Sequence, residues 1–237
     1  MTRVRIRPLA APKRGSAPDE YEDAYWPRRA LVREEVRCAV ADGATESSFS
    51  GAWARLLVDA YRRGVLDDEL TALPHLQRRW QERVDAIPLP WYAEEKARMG
   101  AFSSLLGVTI RNGRWEAVAI GDSCLFHGRA GDVLTAFPVT ESTELTAAPH
   151  LVSSKSSRNA TLRDHIRHAD APLEIGDILY LATDALAGWI LRRIEAGLPL
   201  TELATLHPAT FAAWLATERD NLTIRNDDTT LIRIDVL

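Results

Sequence analysis

The chain has 237 residues, 46% of them hydrophobic, which is ample for one sizeable core, and a single domain over 1–237 is expected. Its 29 basic and 33 acidic residues leave a net charge of -4, with no basic excess of the kind nucleic-acid binders show, so nucleic acid is not expected as a partner. The N-terminal Met1-Thr2-Arg3-Val4-Arg5-Ile6-Arg7-Pro8 lacks the apolar core of a secretion signal, and no apolar run approaches the roughly 18 residues that span a bilayer; a soluble, cytoplasmic monomer without membrane association is expected.

Residues 1–20 hold Pro8, Pro12, Gly15 and Pro18 among basic and small side chains, and read as an irregular lead-in. A strand is expected over about Val36 to Ala41. Phe49 to Gly64 reads as a helix, because Trp53, Leu56, Leu57, Ala60 and Tyr61 recur at helical spacing, with Ser50 as its cap and Gly64 at its stop. A second helical stretch runs from about Asp67 to Met99 and breaks around Pro88-Leu89-Pro90; Trp80 and Trp91 read as core. From Phe102 onward short alternating runs replace the helical pattern. Val108-Thr109-Ile110 and Trp115 to Ile120, joined through Asn112-Gly113, predict a hairpin with a type I′ turn. Leu125 to His127 and Asp132 to Leu134 continue the meander, with Gly128 and Gly131 at the turn. Residues 138–172 are polar and read as a long surface loop. Ile178 to Ala182 predicts a strand, Leu186 to Ala196 and Ala209 to Arg219 predict helices, and Thr230 to Val236 a final strand. Strands grouped between helices argue for α+β, with two packed antiparallel sheets and helices outside.

Four aspartates stand where apolar runs meet polar turns. Asp42, Asp122 and Asp184 each close such a run, and Asp227 precedes one. Carboxylates at strand ends can share one cleft, where they repel each other unless a positive charge sits among them. Hard divalent cations such as Mg2+ and Mn2+ take oxygen ligands of this kind, so a metal-dependent hydrolytic site is the leading reading. Cys38 and Cys124 lie inside apolar runs and read as buried free thiols. The six histidines form no metal-binding spacing. The basic pairs Arg28-Arg29, Arg78-Arg79 and Arg192-Arg193, and the alternating Arg3, Arg5 and Arg7, read as solvated faces.

In chain order, Tyr21-Glu22-Asp23-Ala24, Val40-Ala41-Asp42-Gly43, Gly100 to Leu105, Ile120-Gly121-Asp122-Ser123, Leu181-Ala182-Thr183-Asp184 and Asp227-Asp228-Thr229-Thr230 resemble the signatures of the metal-dependent protein phosphatase 2C family. The family patterns are N-E-D-A, D-G-x-G-G, G-x-T-x, G-D-S-R, S-D-G and D-N-x-T, and the resemblance covers about residues 13–237. It implies an α-β-β-α sandwich, two antiparallel sheets flanked by helix pairs, with a two-ion centre at one end. It implies that Asp42 bridges two Mg2+ or Mn2+ ions, that the Gly43 carbonyl ligates one, and that Asp184 and Asp227 complete the first. Glu22 and Asp23 would act through water from the outer shell, and Asp122 with Asp184 would form a weaker third-ion site. It further implies hydrolysis of phosphoserine or phosphothreonine in proteins, opposite a cognate kinase. Arg14 and Lys13 are the candidates for binding phosphate.

The chain also departs from the patterns. Ala44 stands where many eukaryotic members carry a histidine, and Ala44-Thr45-Glu46 replaces the glycines, with Glu46 an added acid. Thr183-Asp184-Ala185 replaces S-D-G, and Cys124 follows Gly121-Asp122-Ser123 in place of arginine. These changes fit a divergent, bacterial-type member, and they raise the alternative of a pseudophosphatase acting as a regulatory binding module. A phosphatase acting on small molecules is a third reading, since fold alone does not choose substrate.

Overall fold

The computed structural model describes residues 2–44, 49–88, 90–129, 132–146 and 148–237. In chain order it forms β1 (Val4–Ala11), β2 (Ala24–Trp26), β3 (Leu31–Arg33), β4 (Val36–Ala41), α1 (Ser50–Arg62), α2 (Leu73–Asp85), α3 (Trp91–Met99), β5 (Phe102–Ser103), β6 (Leu105–Arg111) and β7 (Arg114–Ile120). Then follow β8 (Cys124–Arg129), β9 (Asp132–Phe137), β10 (Val152–Ser153), β11 (Arg167–Pro172), β12 (Asp177–Ala182), α4 (Asp184–Glu195), α5 (Thr201–Thr205), α6 (Pro208–Asp220) and β13 (Thr229–Val236). Among the described residues two antiparallel sheets dominate, one in the order β3-β1-β13-β12-β8-β9 and one in the order β11-β7-β6-β4-β2.

Alternation along the strands builds three apolar layers. Cys38 and Val40 of β4 point between the sheets, where they meet Val4, Ile6, Leu106, Val108, Leu181 and Ile232. Ala39 and Ala41 point the other way, under Trp53, Leu57 and Tyr61 of α1 and Trp80 of α2. On the far face, Phe126, Tyr180 and Leu231 pack under Leu186, Ile190 and Leu191 of α4 and Phe211 and Leu215 of α6. The result is the expected α-β-β-α sandwich. Both cysteines are buried free thiols, and loss of solvent pushes the Cys38 thiol up to about 12.

Local sequence accounts for much of this. Asn112 and Gly113 both have positive φ, 51° and 69°, as the type I′ turn between β6 and β7 requires. The helix read over Phe49 to Gly64 is α1, and its apolar stripe is buried. Ser50 is a correction: its hydroxyl donates to Glu22 Oε1 at 2.5 Å instead of capping the helix, and Phe49 occupies the cap position. Trp80 is buried as expected; Leu89 of the predicted break lies outside the described residues. Gly128 is not a turn residue. It lies within β8 at a register shift against β9, and Gly131 falls outside the described residues.

Two segments overturn the sequence reading. The supposed irregular lead-in contains β1, which pairs with β13 over its whole length, from Val4↔Val236 to Ala11↔Thr229. Pro8 is tolerated because β3 pairs only with Val4 to Ile6, so no strand on that side needs a donor at residue 8. The supposed loop 138–172 contains β10 and the edge strand β11, paired with β7 from Arg167↔Ala119 to Pro172↔Arg114. Its residues are exposed or half-buried throughout, so it lacks the apolar alternation that marks a strand. No helix among the described residues is long and apolar enough to cross a membrane.

Tyr61 of α1 lies flat on β6 at Gly107, and its hydroxyl meets Thr109 Oγ1 at 3.0 Å. A Cβ at Gly107 would sit 2.4 Å from two carbons of that ring. Gly107→Ala is therefore expected to destabilise the fold by about 1–3 kcal/mol through overpacking. A urea denaturation midpoint equal to that of the wild type would contradict this seating of Tyr61.

Candidate metal centre

Strand direction brings the acids to one edge of the sandwich. β4 and β7 both run antiparallel to β6 between them, so Asp42 and Asp122, which follow β4 and β7, emerge on the same side. In the other sheet β12 ends beside the start of β13, Ala182 opposite Leu231, which places Asp184 and Asp227 together. β2 begins opposite the end of β4, Ala24 against Ala41, and so delivers Glu22 and Asp23 to the same edge. Asp122 stands in the link from β7 to β8, where the chain passes from one sheet to the other.

Backbone contacts hold these turns. Ser104 clamps Asp42: the Asp42 amide donates to Ser104 Oγ at 2.9 Å, and the Ser104 amide donates to the Asp42 carbonyl at 2.9 Å. Ser104 Oγ also meets Ser123 Oγ at 2.7 Å, tying the Asp42 turn to the Asp122 turn. Gly43 is wedged so tightly that a Cβ would lie 2.8 Å from the Glu22 carbonyl oxygen and from the backbone carbon of Ser50. That crowding explains a glycine here without any appeal to turn preference.

Asp23 stitches the two sheets. Its Oδ2 accepts from Thr230 Oγ1 at 2.7 Å and Thr183 Oγ1 at 3.0 Å, while its buried Oδ1 has no partner among the described residues. Asp228 is buried and ties the N-terminal segment to β13, since it accepts the amides of Lys13 at 2.8 Å and Glu22 at 2.7 Å. Asp184 opens α4, where a carboxylate is favoured by the helix dipole. Its Oδ1 is buried without a partner and its Oδ2 pairs with Arg225, which also reaches Asp227 Oδ2 at 3.2 Å.

The electrostatics record the crowding. Asp42 holds its proton far more tightly than an ordinary carboxyl, first through loss of solvent and then through Asp23, Asp184, Asp122 and Asp227. Burial, with Asp228 and Asp184 adding to it, pushes Asp23 up to about 8 against the pull of its two threonine donors. Asp122 rises to about 7, from burial and then Asp184. Burial works against the charge of Arg225, but Asp184, Asp227 and Asp42 outweigh it and hold the guanidinium more firmly charged.

The acids expected at the site, Asp42, Asp122, Asp184, Asp227, Glu22 and Asp23, are thus gathered at one edge together with Gly43. Lys13 stays at its rim, with Nζ 3.7 Å from Glu22 Oε2. Arg14 does not join them; its guanidinium pairs with exposed Asp220 at the end of α6, at 2.8 Å. Glu46 lies outside the described residues. The sequence reading did not pick out Arg225, Ser104, Thr183 or Thr230. Arg225 stands two residues before Asp227, and the threonines lie inside the quoted motifs. Their pairing across the sheets has no local signal.

The donor set fits a hard divalent cation. It is all oxygen, two buried carboxylate oxygens are unpartnered, and the carboxyls bind positive charge in the form of protons with raised affinity. Among the described residues no three acidic, histidine or cysteine side chains close tightly enough to grip an ion as they stand, and Arg225 lies between Asp184 and Asp227. An ion taking the Oδ2 atoms of those two carboxylates would compete with the guanidinium for them.

No family model and no curated protein matches the chain. Solved structures match over nearly its full length. The Mycobacterium tuberculosis serine/threonine phosphatase PstP/Ppp is 15% identical with a TM-score of 0.62, and 99% of each chain is covered. The catalytic domain of PstP in complex with two manganese ions is 20% identical with a TM-score of 0.57, again with 99% of each chain covered. RsbX in complex with magnesium is 16% identical with a TM-score of 0.55, with 100% of each chain covered. The chain therefore has the protein phosphatase 2C fold that the sequence motifs resemble.

The raised carboxyls give a signed pH prediction. A carboxyl whose folded pKa is raised contributes stability below its unfolded value near 4, and this is lost as pH rises through the folded value. With Asp122 near 7 and Asp23 near 8, the chain in chelator should melt at lower temperature at pH 8 than at pH 5. Mn2+ should raise the melting temperature more at pH 8, where protons no longer compete. A melting temperature in chelator that rises from pH 5 to 8, unaffected by Mn2+, would contradict both the crowding and the site.

Proposed function

We propose that this chain is a divergent, bacterial-type member of the protein phosphatase 2C family that hydrolyses phosphoserine and phosphothreonine in proteins with the help of Mg2+ or Mn2+. The observation that carries this reading is the delivery of four aspartates, with Glu22 and Asp23, to one edge by strands of both sheets. Asp42, the Gly43 carbonyl, Asp184 and Asp227 would hold two ions, Asp122 with Asp184 a weaker third, and Glu22 and Asp23 would act through water. When bound, such ions lower the pKa of water and neutralise charge on a transferring phosphoryl group.

The chain's own residues supply the rest. Ser104 holds the Asp42 backbone through both its amide and its carbonyl. Thr183 and Thr230 hold Asp23 Oδ2 and leave the buried Oδ1 without a partner among the described residues. Arg225 neutralises Asp184 and Asp227; once those carboxylates turn to cations, its half-exposed guanidinium is released at the mouth. There it suits a phosphate monoester, as does Lys13, whereas Arg14 is held by Asp220. On this reading the protein works as a cytoplasmic monomer on a substrate phosphorylated by a cognate Ser/Thr kinase.

The test is hydrolysis of para-nitrophenyl phosphate with Mn2+, with Mg2+ and with chelator. Turnover is expected only with metal, and Asp42→Asn should lower it by at least about 100-fold, the upper end of losses seen when only groups outside the ligand set are changed. Equal turnover in chelator would refute the reading. A folded protein inert with every metal would transfer support to the regulatory binding module.

Arg225→Ala tests the phosphate role separately. It should raise KM for para-nitrophenyl phosphate several-fold while Mn2+ binding, read by calorimetry, tightens or holds. Weaker Mn2+ binding with unchanged KM would mean that Arg225 only braces the acids.

A further inference from the structure

Beside the acidic edge, α1, α2 and β2 enclose a groove of about 300 Å3 with the opposite charge. Five arginines line it: Arg28 after β2, Arg55 and Arg62 on α1, and Arg79 and Arg83 on α2. The spacing explains the convergence. Residues 55 and 62 are seven apart and residues 79 and 83 four apart, so each pair shares one helix face, and the two helices pack side by side. One acid, Asp59, also lines the groove, and both its oxygens are already engaged, Oδ1 by Arg62 at 2.6 Å and Oδ2 by Arg63 at 3.0 Å.

Arg28, Arg55, Arg79 and Arg83 make no ion pair with any described residue. Arg28 lies over the Tyr25 ring at 4.4 Å and Arg62 over the Trp26 ring at 4.2 Å, so arginines cover both aromatic faces. Arg55 is held below the usual arginine range, first by loss of solvent and then by Arg28 and Arg83. In a chain of net charge -4, such a concentration of uncompensated like charge is an unfavourable arrangement that an anion would relieve. Arg55 also lines a second cleft of about 450 Å3, together with Lys13, Glu22 and Ser50. Arg55 thus stands between the groove and the cleft at the rim of the acidic edge.

We propose that this groove binds an acidic or multiply phosphorylated polypeptide segment, carried by the protein substrate beside the phosphorylated residue that enters the acidic edge. The substrate part of this inference rests on the phosphatase reading above; the binding of acidic polypeptide does not. Guanidinium groups match carboxylates and phosphates in planar, bidentate fashion, and an extended segment passing Arg55 would lay successive anionic side chains along Arg28, Arg83 and Arg79. The preference expected is for substrates with acidic or phosphorylated residues flanking the target. A small aryl phosphate has no flanking residues with which to occupy the groove.

The experiment pairs two readouts on the full chain. In chelator, where no turnover occurs, fluorescence anisotropy measures binding of a labelled phosphoserine peptide flanked by glutamates and of one flanked by neutral residues. The acidic peptide should bind the wild type more tightly, and Arg79→Glu with Arg83→Glu should weaken it at least about tenfold in a salt-dependent way. The milder pair Arg79→Gln with Arg83→Gln should fall between and guards against a folding defect, with melting temperature measured for both. In Mn2+, para-nitrophenyl phosphate turnover should stay within about twofold of wild type, because neither arginine pairs with an acid of the edge. Equal binding of the acidic peptide by wild type and variants would overturn the proposal, as would equal binding of the neutral peptide by the wild type. Displacement of the peptide by single-stranded RNA at lower concentration would overturn it in favour of nucleic acid. If no metal supports turnover but the anisotropy differences hold, the phosphatase reading fails and the groove stands as a docking site for acidic polypeptide.

Discussion

Carboxylates repel, and this fold gathers six of them at one edge of a sandwich from which water is partly excluded. Asp42, whose proton affinity is raised by Asp23, Asp184, Asp122 and Asp227 together, shows that the repulsion is shared and not a matter of one pair. A cluster of this kind persists only if the surrounding structure over-determines it or a positive charge relieves it. Both devices are present. Backbone clamps and threonine hydroxyls position the acids, and Arg225 supplies one positive charge at the mouth.

The clamps link chemistry to architecture. Each sheet alone would deliver only two of the four aspartates, and the site exists because the edges of both sheets coincide. Asp23 accepting from Thr183 and Thr230, Ser104 meeting Ser123, and Asp228 receiving the amides of Lys13 and Glu22 are the contacts that enforce the coincidence. They bind β2 and the N-terminal segment to β12 and β13, and the start of β6 to the turn before β8, at the edge where the repulsion would otherwise part them. Stability and function therefore oppose each other here, since the same crowding that costs stability creates affinity for a hard cation.

The charge of the molecule is sorted. Acids line one edge and arginines the neighbouring groove between α1, α2 and β2, with Lys13, Glu22 and Arg55 at the boundary. A phosphorylated, acidic polypeptide has the complementary pattern: its target phosphate needs cations at the edge, and its flanks need guanidinium groups beside it. The weak net charge of the chain hides this division.

What the sequence determined by itself was local. The helix stripe of Trp53, Leu57 and Tyr61, the Asn112-Gly113 turn and the aspartates at strand ends were legible because their signals lie within a few residues of each other. The tertiary structure alone decided what depends on partners distant in the chain. β1 was obscured by Pro8, whose missing donor is harmless only because β3 stops short, and β11 by an edge position that buries too little to show alternation. Arg14 was a candidate for phosphate until Asp220 claimed it, while Arg225 reaches Asp184 from beyond three helices, α4, α5 and α6. Arg28-Arg29 and Arg78-Arg79 are exposed, as read, but a pair of arginines carries no record of the other arginines that folding brings beside it. Propensity and periodicity act over one turn or one strand, whereas charge acts through space, and only the folded chain sets those distances.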